Sequence, residues 1–379
     1  MYILFDISGK DTWIAGVYYM KNIIYQLTII ENSENNIIPI IVYSSKYSDL
    51  FDPFKNKAEL IKYKNGSKLQ RLKSLIYAIG KCDKIYCYHQ YKFDPMNLLS
   101  RKAIYWIPDF QEHYYPGYFS EQELQKRKDR AISIVNSPAP LVLSSKSCYN
   151  DFIKLFPNKE NGKVYIVPFV SDIVKELSDI DEIACENILK KYNLNTKKIV
   201  LVSNQFWQHK NHIVVLKAIK EISLSHPDCE LQFVFTGGLK DYRNPNYFKK
   251  LTDFMEDEDV KQRLTMLGFI DRVEQLVLMK KAKFIIQPSL FEGWGTVVED
   301  AKVLNKLILL SNIPIHHEQM NENCLLFNPN DSQSLVSKII EVSKKEHVDD
   351  MEIGINDMHK RAKEYAAGLL QMVGDLQKA

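Results

Sequence analysis

Cysteine is sparse and dispersed: Cys82, Cys87, Cys148, Cys185, Cys229 and Cys324 form no C-x-x-C pair. Neither a disulfide framework nor a zinc cage is suggested, and a reducing compartment such as the cytoplasm is the natural setting. No run approaches the roughly 18 uninterrupted apolar residues that a membrane span requires. The opening MYILFDISGKDTW meets Asp6 early, so it reads as a first strand and not as a cleavable leader. Charge of one sign is lacking as well. The 50 basic residues face 47 acidic ones, a net +3, which argues against a protein that coats nucleic acid. There is no repeat at a fixed period and no low-complexity tract.

What is present is an average globular composition, 45% hydrophobic and 26% charged, in 379 residues, a length that accommodates two lobes. Short β-rich runs alternate with helical patterns from end to end, the sequence form of βαβ units. Strands are predicted at Tyr2 to Ile7, Ile38 to Tyr43, Lys84 to Tyr88, Ala103 to Ile107, Pro140 to Ser144 and Lys163 to Val167. A second series starts at KKIVLVS, residues 197 to 203, whose unbroken apolar run suits a strand covered on both faces. Helix Ile213 to Ser223 and strands Leu231 to Thr236, Leu264 to Leu267, Phe284 to Gln287 and Leu307 to Leu310 follow, with helix Val273 to Ala282 among them. The expected fold class is α/β, two Rossmann-like, doubly wound parallel-sheet domains facing across a cleft. Their expected extents are 1–172 and 173–352, with a helical tail, 353–379, crossing back to the first. Pro168 to Ala184 turns polar and acidic and is the candidate hinge. Sheets of this kind bind ligands at the carboxyl ends of their strands.

The most informative stretch is QPSLFEGWGTVVEDAKVLNKLILLSNIPIHHEQ, residues 287 to 319. Pro288 ends a strand, Ser289 supplies a hydroxyl, and Glu292 precedes Gly293, Trp294 and Gly295. A helix from Thr296 then aims its free N–H groups and positive dipole end at the loop, an arrangement suited to an anion such as phosphate. Asp300 lies inside that helix, eight positions after Glu292. A second element, LVSNQFWQHKNHIVVLKAI at 201 to 219, places Lys210 in the loop between a strand and an amphipathic helix.

These stretches resemble the retaining, nucleotide-sugar-dependent glycosyltransferases of family 4, group 1 enzymes with the two-lobed GT-B fold. The resemblance implies that Glu292 contacts the donor sugar, that Gly293, Trp294, Gly295 and Thr296 present N–H groups to it and to the diphosphate, and that Asp300 holds the ribose hydroxyls. Lys210 occupies the position of a base that binds the diphosphate, whose departure is helped by cationic neutralisation without metal. Relatives often carry Arg five positions earlier; here Gln205 stands there, and Asn204, Gln205 or Asn211 is expected to compensate. Ser289 is counted with the donor-binding residues. Gly16, after the first strand, matches a small residue that lets the donor phosphates lie close. In YWIPDFQEHYYPGYFS, residues 105 to 120, Asp109 and His113 are acceptor-side candidates, with Glu112 intervening where relatives have His directly after Gln.

The implied activity is transfer of a hexose from a GDP-, UDP- or dTDP-sugar, a co-substrate and not a resident cofactor, to a hydroxyl of a glycan or lipid-linked acceptor. Envelope polysaccharide synthesis is the implied setting, at the inner face of the cytoplasmic membrane, with no metal and no nucleic acid. An epimerase of the same fold, or an inactive sugar-nucleotide-binding subunit, stands as the alternative.

Other features have plainer readings. His209 and His212 bracket Lys210, and one of them is read as capping or packing the loop; His316 and His317 are read as a polar turn before a helix. The acidic strings at 179–181 and 256–259 are read as solvated surface. Residues 55 to 84 hold nine Lys or Arg against Glu59 and Asp83, a net +7, with Leu69, Leu72, Leu75, Ile76 and Ile79 at helical spacing. The first reading is a surface helix packed on the first sheet; the second is a patch for anionic lipid.

Overall fold

The computed structural model describes residues 1–7, 14–29, 37–88, 101–157, 163–241, 243–244 and 246–378. The chain divides into two compact units. The first comprises Met1–Tyr114, Glu121–Val170 and Lys360–Ala379; the second comprises Tyr115–Ser120 and Ser171–His359.

The first unit holds seven strands: β1 (Tyr2–Ile7), β2 (Ile38–Ser44), β3 (Glu59–Tyr63), β4 (Lys84–Tyr88), β5 (Ala103–Ile107), β6 (Leu141–Leu143) and β7 (Val164–Ile166). All pair in parallel, in the order β3-β2-β1-β4-β5-β6-β7. Such a sheet needs cover on both faces, which is why β2 reads Ile-Pro-Ile-Ile-Val-Tyr-Ser without alternation and is buried from Pro39 onward. Helix Ile14–Ile29 is pinned by Tyr19, which stacks on Trp106 at 3.8 Å and donates its hydroxyl to the Val167 carbonyl at 3.0 Å. Trp106 is buried and donates its indole N–H to Ser144 Oγ at 2.9 Å, so its polar handle is satisfied.

The second unit holds β8 (Lys198–Ser203), β9 (Leu231–Thr236), β10 (Leu264–Gly268), β11 (Phe284–Gln287), β12 (Ile308–Ser311) and β13 (Cys324–Phe327), in the order β10-β9-β8-β11-β12-β13. β8 is central: Val200 pairs in register with Phe233 on one side and Phe284 on the other. Its core gathers Phe206, Phe233, Phe235 and Phe284, all fully buried, against Val215, Leu216 and Ile219 of helix His212–Ser225. Truncating one such ring, as in Phe235→Ala, costs about 3–5 kcal/mol. The chain leaves β9 through Gly237, whose φ of +138° only glycine adopts readily; a Cβ there would sit 1.9 Å from the Asn204 carbonyl oxygen.

Several expectations change. β3 and β13 were not anticipated, and each lies at the edge of its sheet. The basic segment 55–84 is not one helix: it contains β3 and then helix Lys68–Lys81, which buries only Leu75 and Ala78 and leaves Leu69, Leu72 and Ile76 exposed. Packing on the sheet therefore accounts for one side of that helix only. Gly16 lies in the first turn of helix Ile14–Ile29, buried, and not in a loop; the loop before it, 8–13, falls outside the described residues. The candidate hinge is partly helical, with Val174–Ser178 inside it and Glu182–Lys191 beginning at its end. There Asp181 accepts from the Ala184 N–H at 2.7 Å as an N-cap, as Asp257 does for Glu258–Lys261. Among the described residues no helix is long and apolar enough to cross a membrane.

Candidate functional site

In the second unit the strand order reverses between β8 and β11, and the crevice outside the carboxyl ends of two such strands is the binding position of a doubly wound sheet. Lys210 follows β8 and Glu292 follows β11, so both sit on loops flanking that crevice. Lys210 Nζ donates to Glu292 Oε1 at 2.5 Å, with both side chains mostly buried. The loops are tied to each other through the backbone. The Leu290 N–H donates to the His209 carbonyl at 2.7 Å, and Asn211 Nδ2 donates to the Pro288 and Pro329 carbonyls. Asn211, left-handed at φ +55°, is thus a fastener between loops.

Glu292 is held by one oxygen. Ser289 Oγ also donates to Oε1, at 2.5 Å, whereas Oε2 accepts no bond among the described residues and can take a ligand hydroxyl. Behind Ser289, its carbonyl accepts from Ser311 Oγ, and His316 Nδ1 lies 2.8 Å from the Ser311 carbonyl, which assigns the proton to Nδ1. Burial pushes the His316 imidazole down to about 4, so the ring is neutral at pH 7. His316 is therefore not a polar turn residue. It lies on helix Pro314–Gln319 beside Ile315, and Gln319, also missed, shares that inward face. The spacing of Ile315, His316 and Gln319 was the available signal.

Gln319 corrects one expectation about the glycine loop. Its Oε1 accepts from the Gly295 N–H at 3.0 Å, and its Nε2 donates to the Gly295 carbonyl at 3.1 Å and to Glu299 at 3.0 Å. In this structure the Gly295 amide is engaged by this clamp. A Cβ on Gly295 would meet Gln319 Oε1 and Val298 at 3.0 Å, so the glycine serves close packing here. Gly293 is buried in the same loop, Trp294 and Thr296 are half-buried, and Tyr115 donates its hydroxyl to the Leu290 carbonyl at 3.2 Å.

Asp300 also departs from expectation. It is 2% exposed and engaged by Arg272 in a two-pronged pair, NH1 to Oδ2 at 2.7 Å and NH2 to Oδ1 at 2.8 Å, with Ser171 Oγ on Oδ1 at 2.5 Å. The acid expected to meet ribose hydroxyls thus lies under the arginine, whose side chain keeps 22% exposure. Asn204 donates to Gln287 Oε1 at 2.9 Å, while Gln205 Oε1 accepts from the Gly238 N–H at 3.1 Å, so both fasten loops in this structure. A second buried cation that the sequence did not reveal is Arg243, paired with Asp241 at 3.0 Å, beside His209 Nδ1 at 3.2 Å and over the Trp207 ring. Burial, with the Lys210 and Arg243 charges, pushes His209 well down; burial pushes His212, stacked on Phe206 at 4.1 Å, down to about 3. Both histidines are buried against the loop, where the sequence reading expects one of them to cap or pack it.

In the first unit, Asp109 follows β5 and accepts from the Gln111 N–H at 3.1 Å, starting the short helix Gln111–Tyr114. His113 packs edge-on against Phe110 and Phe156, and burial lowers its basicity. Glu112 is the perturbed group: 2% exposed, it is pushed up to about 7 by burial and by Asp109. Arg127 bonds Glu123 and comes only within 4.0 Å of Glu112.

Residues 185–367 match the family model of glycosyl transferases group 1. Together with two doubly wound sheets this defines the class: the fold is GT-B, and the segment 185–367 matches the group 1 glycosyltransferases. The O-antigen chain mannosyltransferase RfbU of Salmonella typhimurium (strain LT2) is 25% identical over 208 residues, 48% of this chain; the match spans 56% of that relative's length. Among solved structures, Anabaena Alr3699/HepE in complex with UDP and glucose superposes with a TM-score of 0.68 at 15% identity, covering 100% of both chains. WaaG, a glycosyltransferase involved in lipopolysaccharide biosynthesis, gives 0.60 at 12% identity over 97% of this chain and 95% of its own. At these identities the structures bear on the fold alone.

Proposed function

We propose that the chain is a retaining hexosyltransferase of family 4 that moves a hexose from a nucleoside diphosphate sugar to a hydroxyl of a glycan or lipid-linked acceptor, without a metal ion. The observation that carries this is the Lys210–Glu292 pair on the two loops flanking the switch point of the second sheet. A diphosphate placed there draws Lys210 away from Glu292, and the ammonium neutralises charge as the C1–O bond to phosphate breaks. Glu292, anchored by Ser289 through Oε1, offers Oε2 to a sugar hydroxyl. The acceptor oxygen bonds C1 on the face the phosphate leaves, and its proton passes to the departing phosphate oxygen, so no enzymic base is needed. The names of RfbU and WaaG support polysaccharide assembly as the setting, and the UDP complex of HepE supports a nucleotide-sugar donor.

The test is transfer of labelled sugar from a panel of UDP-, GDP- and dTDP-sugars to glycan and lipid-linked acceptors, with the anomer determined by NMR. Transfer with retained configuration, undiminished by excess chelator, is expected. Inversion, or a loss that added metal reverses, contradicts the reading.

A further inference from the structure

We propose that His209 donates a hydrogen bond from its Nε2–H to the outer phosphate of the donor nucleotide sugar, as an uncharged partner to Lys210. This deepens the reading of the second unit as a nucleotide-sugar site and rests on it.

With Gln205 where relatives carry a cation, the diphosphate lacks a second charged donor beside Lys210. The side chains expected to stand in for it fasten loops. Asn204 donates to Gln287 Oε1, Gln205 Oε1 accepts from the Gly238 N–H, and Asn211 donates to the Pro288 and Pro329 carbonyls. His209 differs. It lies in the turn Gln208–Lys210, between β8 and helix His212–Ser225, and is 5% exposed. Its Nδ1 is 3.2 Å from Arg243 Nη2, and a guanidinium has hydrogens only to give. Nδ1 is therefore the acceptor, and the proton of the neutral ring sits on Nε2. Arg243 is itself buried and held by Asp241 at 3.0 Å, so an ion pair fixes the tautomer. Nε2 has no partner among the described residues. Both ring nitrogens of His212 and Nε2 of His316 are likewise without one but sealed in, whereas Nε2 of His209 opens onto the surface.

Strand order gives the direction. β9 and β11 lie on opposite sides of β8. Nδ1 is turned to the loop after β9, which carries Asp241 and Arg243, and the two nitrogens of an imidazole point to roughly opposite sides. Nε2 thus faces the β11 side, where the Leu290 N–H donates to the His209 carbonyl and Lys210 meets Glu292. Glu292 is read as the partner of the sugar, so the phosphate bonded to the sugar is the one beside Lys210 and within reach of its neighbour. An uncharged donor suits the place. Lys210 and Arg243 already set two cations around the ring and, with burial, keep a second proton off it. An N–H aimed at an anionic oxygen needs no charge of its own, and a fixed tautomer has it aimed before the ligand arrives.

The experiment is titration calorimetry of UDP, GDP and dTDP, and of the matching monophosphates, into the wild type, His209→Gln and His209→Asn. Glutamine can set an N–H near the place of Nε2, asparagine only near that of Nδ1. His209→Asn is expected to weaken the diphosphate that binds the wild type by about tenfold and its monophosphate by less than about twofold, while His209→Gln stays within about threefold of the wild type. An unchanged diphosphate affinity in folded His209→Asn overturns the proposal. So does an equal loss for monophosphate and diphosphate, which would reduce His209 to a prop of the loop. Long-range proton–nitrogen NMR spectra of the wild type test the tautomer without a substitution. The Nε2-protonated ring is expected, with its Nε2 signal moving on saturation with the diphosphate; an Nδ1-protonated ring, or a signal that stays in place, contradicts the proposal. Diphosphate binding that is lost in Lys210→Ala and indifferent to His209→Asn refutes this inference alone, whereas a wild type that binds no nucleotide refutes the site reading with it.

Discussion

The loops after β8 and β11 in the second unit and the segment after β5 in the first both bury charge, but they do so in opposite ways. In the former and in the neighbouring loop after β9, three acids have a cation at hydrogen-bond distance: Glu292 with Lys210, Asp300 with Arg272, Asp241 with Arg243. In the latter, Glu112 lies 4.0 Å from an arginine that is bonded elsewhere. Paired burial keeps charges in place for a charged ligand, whereas solitary burial pushes the proton onto the acid. The histidines add to the contrast, since burial holds His212 and His316 neutral in the second unit.

The contrast implies opposite pH slopes. For the histidines the folded state binds protons less readily than the unfolded one, so stability is complete above about 6.5 and is lost as pH falls toward 4 and 3. Between pH 7 and 4.5 their combined effect is about 5 kcal/mol, the largest expected here. Hydrogen exchange in β8 and β11, corrected for intrinsic rates, should accelerate relative to β1 and β5 between pH 7 and 4.5; uniform acceleration would break the comparison. Next, Arg272→Ala strands the buried Asp300 and should cost the second unit about 3–5 kcal/mol by denaturant unfolding. A cost under about 1 kcal/mol would mean that the pair is only a surface contact.

Glu112 works in the other direction. Its folded-state value of about 7 lies above the ordinary carboxylate value, so its contribution is present below about 4.5 and is lost as pH rises to 7. Glu112→Gln is therefore expected to stabilise the first unit by about 3 kcal/mol at pH 8 and to change little at pH 4. His113, whose basicity burial lowers, opposes this weakly at the acid end. Equal effects at both pH values would show that Glu112 is ionised throughout. Then Glu292→Ala should lower kcat at least about a hundredfold in a folded protein, the loss of one preorganised contact. Near-normal turnover would remove Glu292 from the reaction.

The sequence carried the central strands well, because β8 and β11 are buried on both faces and leave unbroken apolar runs. It missed β3 and β13 for the complementary reason. Both are short edge strands, and Lys62 on β3 faces solvent, so alternation with charge hides the element. Lys210 and Glu292 were legible because each follows a recognisable strand and precedes a helix. Arg272 over Asp300, Arg243 on Asp241 and Gln319 clamping Gly295 were not. Each joins residues distant along the chain or sits on a loop without periodicity, and only the folded backbone brings them together. In the sequence Glu112 only interrupts Gln111 and His113, yet burial singles it out as the perturbed acid.

The most direct measurement is titration calorimetry of UDP, GDP, dTDP and ADP into the wild-type chain and into Lys210→Ala. If Lys210 grips the diphosphate at the switch point, one nucleotide binds the wild type and its affinity falls by about tenfold or more in the variant. An unchanged dissociation constant in folded Lys210→Ala, or no binding of any nucleotide by the wild type, would contradict it.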